Sequence, residues 1–146
     1  MQTMTNILST QRFFADLPRH VLEIVSGCAS NIAAQPGVYL MRTGDPADYF
    51  YLVRGGRVAI ELTDGSQIQS IEAGDVLGWY WFVPPYSYAF DARVTKRPRL
   101  TRFDARCLRD KCAADHELGY YLFQQMSRVM VERLQAARLQ LADLYR

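Results

Sequence analysis

The sequence contains no run of about 18 apolar residues, so nothing in it reads as a membrane span. Neither sign of charge dominates: 17 Lys and Arg against 15 Asp and Glu leave a net charge of +2. That is too little to argue for nucleic acid as a partner. Histidine is scarce, with only His20 and His116, and neither falls in a strand-like stretch. The clustered imidazole and carboxylate ligands of a metal-dependent barrel enzyme are therefore missing. The three cysteines, Cys28, Cys107 and Cys112, are an odd number without a CxxC pair, which predicts reduced thiols and a cytoplasmic setting. Cys107 and Cys112 stand five apart on a helical stretch and face different directions, so they make no zinc site. GxSxG, P-loop and GxGxxG patterns are absent as well, and no enzymatic activity is expected. The N-terminus lacks the basic and then apolar order of a signal peptide.

What remains describes a globular chain. Its 146 residues are 49% hydrophobic and 22% charged, enough to bury one core. Two short amphipathic helices are expected first, one over Thr5 to Phe14 and one opening at Pro18, where the missing N–H costs nothing. From Gly37 the apolar period changes from helical to alternating. Strands are predicted over Gly37 to Arg42, Tyr49 to Arg54, Arg57 to Thr63, Ser66 to Glu72, Asp75 to Gly78, Tyr88 to Val94 and Arg99 to Asp104. Gly55-Gly56 reads as a bend and Asp64-Gly65 as a hairpin turn. Short strands at regular spacing predict a mainly β fold, an antiparallel jelly roll flanked by helices.

The helical period returns at Ala105 to Cys112 and again over His116 to Leu144, with Asp115 as N-cap and Glu117 in the first turn. Phe123, Met126, Met130, Leu134, Ala137, Leu141 and Leu144 recur every three or four residues, the seam of a coiled coil. At ~1.5 Å per residue this helix reaches about 43 Å, longer than a small barrel is wide. The expected organisation is a helix-flanked sensor domain at 1–114 and a dimerisation helix at 115–146, giving a homodimer. Arg128, Glu132, Arg133 and Arg138 are expected on its solvated face.

The central stretch, Ile71 to Val94, combines a Gly-Asp turn, Val76-Leu77, Gly78, the aromatic block Trp79-Tyr80-Trp81-Phe82 and Pro84-Pro85. Tyr51, Val53, Gly56 and Val58 fit the pattern Y-x-V-x-x-G-x-V, and Gly74-Asp75-Val76-Leu77-Gly78 the pattern G-D-x-x-G. With Phe14, Leu17-Pro18, Gly37 and Gly44-Asp45-Pro46-Ala47 in order, the chain resembles the sensor domain of the catabolite activator and fumarate-nitrate regulator family over Ile7 to Tyr145. The resemblance implies a cyclic nucleotide-binding domain whose phosphate-binding cassette spans Gly78, Trp79, Tyr80, Trp81, Ser87, Tyr88 and Ala89.

Trp79 stands where ligand-binding members carry a Glu for the ribose hydroxyl, and an indole donates but does not accept. Ser87 stands where they carry the phosphate-binding Arg, ahead of Tyr88 and Ala89. Losing two anchors at ~1.5–3 kcal/mol each weakens binding by roughly 10² to 10⁴-fold. Cyclic nucleotide binding is therefore expected to be weak or absent. Arg93, about 13 Å further along the same strand face, is too far to substitute. The block of aromatics leaves two readings open, a pocket filled by Trp79 and Trp81 or an apolar cavity for a small molecule. The function expected is a regulatory module that signals through its helix dimer, with a small-molecule ligand or a protein as further partner. Two alternatives stand beside it, a cyclic AMP or cyclic GMP sensor with an aromatic cassette and a ligand-free dimerisation module. Family regulators carry a helix-turn-helix domain after the long helix. The chain stops where it would begin, and no direct DNA reading is expected.

Overall fold

The computed structural model describes residues 3–146. Two helices, α1 (Met4–Ser9) and α2 (Arg19–Ser26), lead into six strands: β1 (Ala29–Ile32), β2 (Tyr39–Met41), β3 (Tyr49–Glu61), β4 (Gln67–Glu72), β5 (Val76–Leu77) and β6 (Asp91–Asp104). Helices α3 (Ala105–Ala114) and α4 (His116–Leu144) close the chain. The jelly-roll expectation holds. Every pairing is antiparallel, in the order β1-β6-β3-β4, with β2 on β6 and β5 on β3.

The strands read as pairs, Tyr49 to Arg54 with Arg57 to Thr63 and Tyr88 to Val94 with Arg99 to Asp104, are the two halves of β3 and β6. Their shared ladder runs from Tyr49↔Asp104 to Glu61↔Asp91 and shifts register around Gly55 and Arg57. The glycines predicted to break β3 only bend it. Gly56 has φ 79°, and a Cβ there would lie 2.5 Å from the Arg97 carbonyl oxygen, so only glycine lets the strands cross so closely.

β1 falls on residues read only as the polar end of α2. Its register, Ala29↔Phe103, sets Cys28 beside the start of α3, and the Asp104 N–H donates to the Cys28 carbonyl at 2.8 Å. Cys28 and Cys107, 79 residues apart, form a disulfide with Cα atoms 5.7 Å apart. This corrects the expectation of three reduced thiols. Spacing along the chain could not reveal the bond, because an unread strand pairing creates it. Cys112 is free and half-buried.

One core runs through all layers: Leu8 and Phe14, Val21 and Val25 of α2, Phe50 and Leu52 of β3, Phe103 of β6, then Leu108, Leu118, Leu122 and Met126. Two carboxylates are buried and hydrogen-bonded. Asp91 accepts from the Thr43 N–H at 2.7 Å and hydroxyl at 2.9 Å, bonds that hold its carboxyl below the usual range. Glu61 accepts from Arg93 Nη2 at 2.6 Å and Nε at 2.9 Å. No helix among the described residues is long and apolar enough to cross a membrane.

Two outcomes follow from this packing. Gly56→Ala combines a left-handed penalty with overpacking and should cost about 2–4 kcal/mol, whereas Gly44→Ala, at φ 89° with open space around it, should cost ~1–2 kcal/mol in urea denaturation. The buried Tyr51 phenol donates to the Leu40 carbonyl at 3.3 Å, and burial pushes its pKa up to about 12. The folded-state value lies above the unfolded one, so this stability is complete below about pH 10 and fades as pH rises through 12. Denaturation at pH 9 and pH 11.5 should show the loss, and Tyr51→Phe should reduce it.

Candidate functional site

β5 hands the chain to Gly78, whose φ of 87° turns it sharply into a 3₁₀ turn at Trp79–Phe82. A Cβ at Gly78 would press on Met41 Sδ at 3.1 Å and the Tyr49 carbonyl at 3.2 Å, so the turn lies close against β2 and β3. The four aromatics of this turn divide among three surroundings. Trp81 goes inward at 2% exposure and stacks on Phe50 (5.9 Å between centroids), which stacks on Phe103 (4.4 Å), which stacks on Phe14 (5.3 Å). Trp79 and Tyr80 stack on each other at 5.6 Å with an interplanar angle of 10°. Phe82 meets the edge of Phe123 on α4 at 4.9 Å. Arg109 of α3 holds the turn from behind, donating to the Trp81 carbonyl at 2.7 Å.

The far end of the cassette is committed to the backbone. The Tyr88 hydroxyl donates to the Tyr49 carbonyl at 2.6 Å and accepts the Tyr49 N–H at 3.2 Å, and burial keeps its proton well above the usual tyrosine range. Ser87 bridges to Pro46 and donates to the Pro85 carbonyl at 3.5 Å. Ala89 is exposed.

A cavity of about 350 Å³ opens between the first half of the cassette and α4. Met41, Ile60, Leu77, Gly78 and Phe90 form its floor, and Trp79 and Tyr80 one wall. Met130, Arg133, Leu134 and Ala137 form the other. The cassette residues named from sequence therefore divide: Gly78, Trp79 and Tyr80 line this space, Trp81 belongs to the core, and Ser87, Tyr88 and Ala89 lie away from it.

The α4 residues divide as well. Met126 is 1% exposed and already enclosed by its own chain, and Met130 is half-buried at the cavity. Phe123, Leu134, Leu141 and Leu144 keep 48%, 53%, 53% and 80% exposure. The reading of α4's cations as a solvated face fails at Arg133. Its guanidinium donates to the Val76 carbonyl, lies 5.6 Å from the centre of the Trp79 ring, and is pushed below its ordinary pKa by burial. A signal for this was present: Met126, Met130, Arg133 and Ala137 follow steps of four, three and four, the spacing of one helix face.

The sequence model of the cyclic nucleotide-binding domain matches residues 32–115. No curated protein matches significantly. Among solved structures, a protein from Geobacter metallireducens GS-15 named for cyclic nucleotide binding is 25% identical, with a TM-score of 0.84 over 92% of this chain and 99% of that one. The sensor domain of the transcriptional regulator DNR from Pseudomonas aeruginosa is 19% identical, with a TM-score of 0.69 over 88% and 94% of the two chains. The regulatory subunit of a cAMP-independent protein kinase A from Trypanosoma brucei is 19% identical, with a TM-score of 0.71 over 89% and 47%. The helix pair, the jelly roll, the glycine-led cassette and the family match together make this chain a member of the cyclic nucleotide-binding domain family.

Proposed function

We propose that the protein is a non-enzymatic sensing module that reads occupancy of the cavity between cassette and α4 and transmits it along α4 to a homodimer. The observation that carries this reading is the position of Arg133. It belongs to α4, yet it is hydrogen-bonded to β5 and lies over the first cassette aromatic. Anything that displaces Trp79 must act on α4 within the same contact.

The residues present do not fit the usual cyclic nucleotide contacts. Trp79 offers no acceptor for a ribose hydroxyl, Ser87 and Tyr88 face away from the cavity, and Arg93 is spent on buried Glu61. Withdrawing Arg93 from that pair would leave the buried Glu61 carboxylate without its cation. An apolar cavity with few polar groups suits a small hydrophobic ligand instead. The trypanosome kinase subunit, cAMP-independent by its description, is a fold relative in which the domain is kept without that dependence.

The proposed partner surface is the exposed part of the same α4 face that meets the cassette, with Phe123 also against Phe82 and Leu134 also lining the cavity. Phe123, Leu134, Leu141 and Leu144 are large, exposed and in phase along one helix, and apolar side chains in that arrangement are stabilised by a second helix.

Two measurements test this. Trp79 and Trp81 are the only tryptophans, so intrinsic fluorescence should stay flat on titration with cyclic AMP or cyclic GMP to millimolar concentration. Saturation in the micromolar range would restore the nucleotide-sensor reading. Leu141→Glu places charge on an exposed position and leaves the core untouched, so it should give a folded monomer in sedimentation velocity where the parent protein runs as a dimer. An unchanged dimer would remove α4 as the interface.

A further inference from the structure

The cavity beside Trp79 is lined mainly by apolar side chains, with the Gln69 amide, the Tyr80 hydroxyl and one charged group among them. Among the described residues lining it, only Arg133 carries charge. Its electrostatic position is unusual for a half-buried cation, since no carboxylate among the described residues lies within ion-pair distance of it. The two acids in its neighbourhood, Asp75 and Glu132, act on it only from further off, because both are drawn to Arg12, at 3.1 Å and 3.7 Å. The guanidinium forms the partition between the apolar cavity and a polar hollow of about 270 Å³ that contains Arg12, Asp75 and Glu132. Of its five N–H donors, the contact to the Val76 carbonyl uses one, and the Trp79 ring covers one face. A desolvated guanidinium that lacks a close counter-ion is matched best by a single anion that arrives with its own apolar body.

The other groups in the cavity narrow the class. Trp79 and Tyr80 present a flat aromatic pair, and Phe90 faces the same space, so a planar ring can stack. The Tyr80 hydroxyl lies within electrostatic reach of Arg133, and burial keeps it protonated, ready to donate a second hydrogen bond to an anion held there. A dianionic phosphate would need a second cation, and the cavity has none. We infer that the cavity binds an aromatic monocarboxylic acid, with its ring against Trp79 and Tyr80 and its carboxylate on Arg133. This rests on the reading of the cavity as the sensing site. It adds the chemical class of ligand and makes Arg133 both its anchor and its link to α4.

Calorimetric titration of the full chain with 2-naphthoate and with 2-naphthamide, which share a ring system and differ in charge, tests the inference without any variant. The acid should bind about ten- to a hundred-fold tighter than the amide, the value of a charge-assisted bond to a guanidinium. Arg133→Met should abolish that preference while the amide affinity stays, and Arg133→Lys should keep part of it. Equal binding of acid and amide would overturn the anion site and leave the apolar sensing cavity standing. A preference that survives Arg133→Met would overturn the assignment of the anchor. No binding of either compound at millimolar concentration would overturn the ligand class. Saturable cyclic AMP binding in the same series would instead overturn the sensing-site reading beneath it.

Discussion

The antiparallel ladder between β3 and β6 carries the rest of the molecule. These are the two long strands, of 13 and 14 residues, and every other strand pairs with one of them. β3 holds β5, and through it the entrance to the cassette. β6 receives the chain as it leaves the cassette and ends where α3 begins. The cassette is thus a loop whose two ends are fixed to neighbouring strands, and a loop held at both ends loses little further entropy when its turn becomes ordered. The close crossing at Gly56 keeps the two strands in contact through their bend.

On that frame the cassette is held largely by aromatic packing. Trp81 extends a stack of rings through Phe50 and Phe103 to Phe14, tying the turn to the core through apolar surface and ring geometry. Tyr88 spends its hydroxyl on the Tyr49 backbone. Trp81 and Tyr88 are thus tied to the core and the backbone, while Trp79 and Tyr80 lie on the side of α4. Coupling between sites needs contact with an element that can adopt two positions. The first half of α4 is packed into the core through Leu118, Leu122 and Met126 while its second half is exposed, and the proposed coupling would act across that division.

Charge placement completes this arrangement. Arg93 is paired with Glu61 and Arg12 with Asp75 and Glu132, whereas Arg133 is in no ion pair among the described residues. The surface pairs contribute little stability individually. Their consequence here is local, because by occupying the nearby acids they leave one guanidinium facing apolar walls.

Legible in the sequence were the jelly roll, the extent of α4 with its Asp115 cap, and the Gly78 turn ahead of the aromatic block. Alternation, helical spacing and turn glycines are local signals, and each was legible within a dozen residues. Tertiary structure alone decided which aromatics are core, because the direction of Trp79 and Trp81 depends on a 3₁₀ turn set by Gly78 against β2. It decided the fate of the cysteines, because β1 has no alternation to announce it and its pairing with β6 is what brings Cys28 to Cys107. It also decided the role of Arg133, since a charged residue on an apolar stripe reads as solvent-facing until the cassette is seen to cover it. Local pattern fixes what each segment becomes, and contacts between residues far apart in sequence fix what its side chains are for.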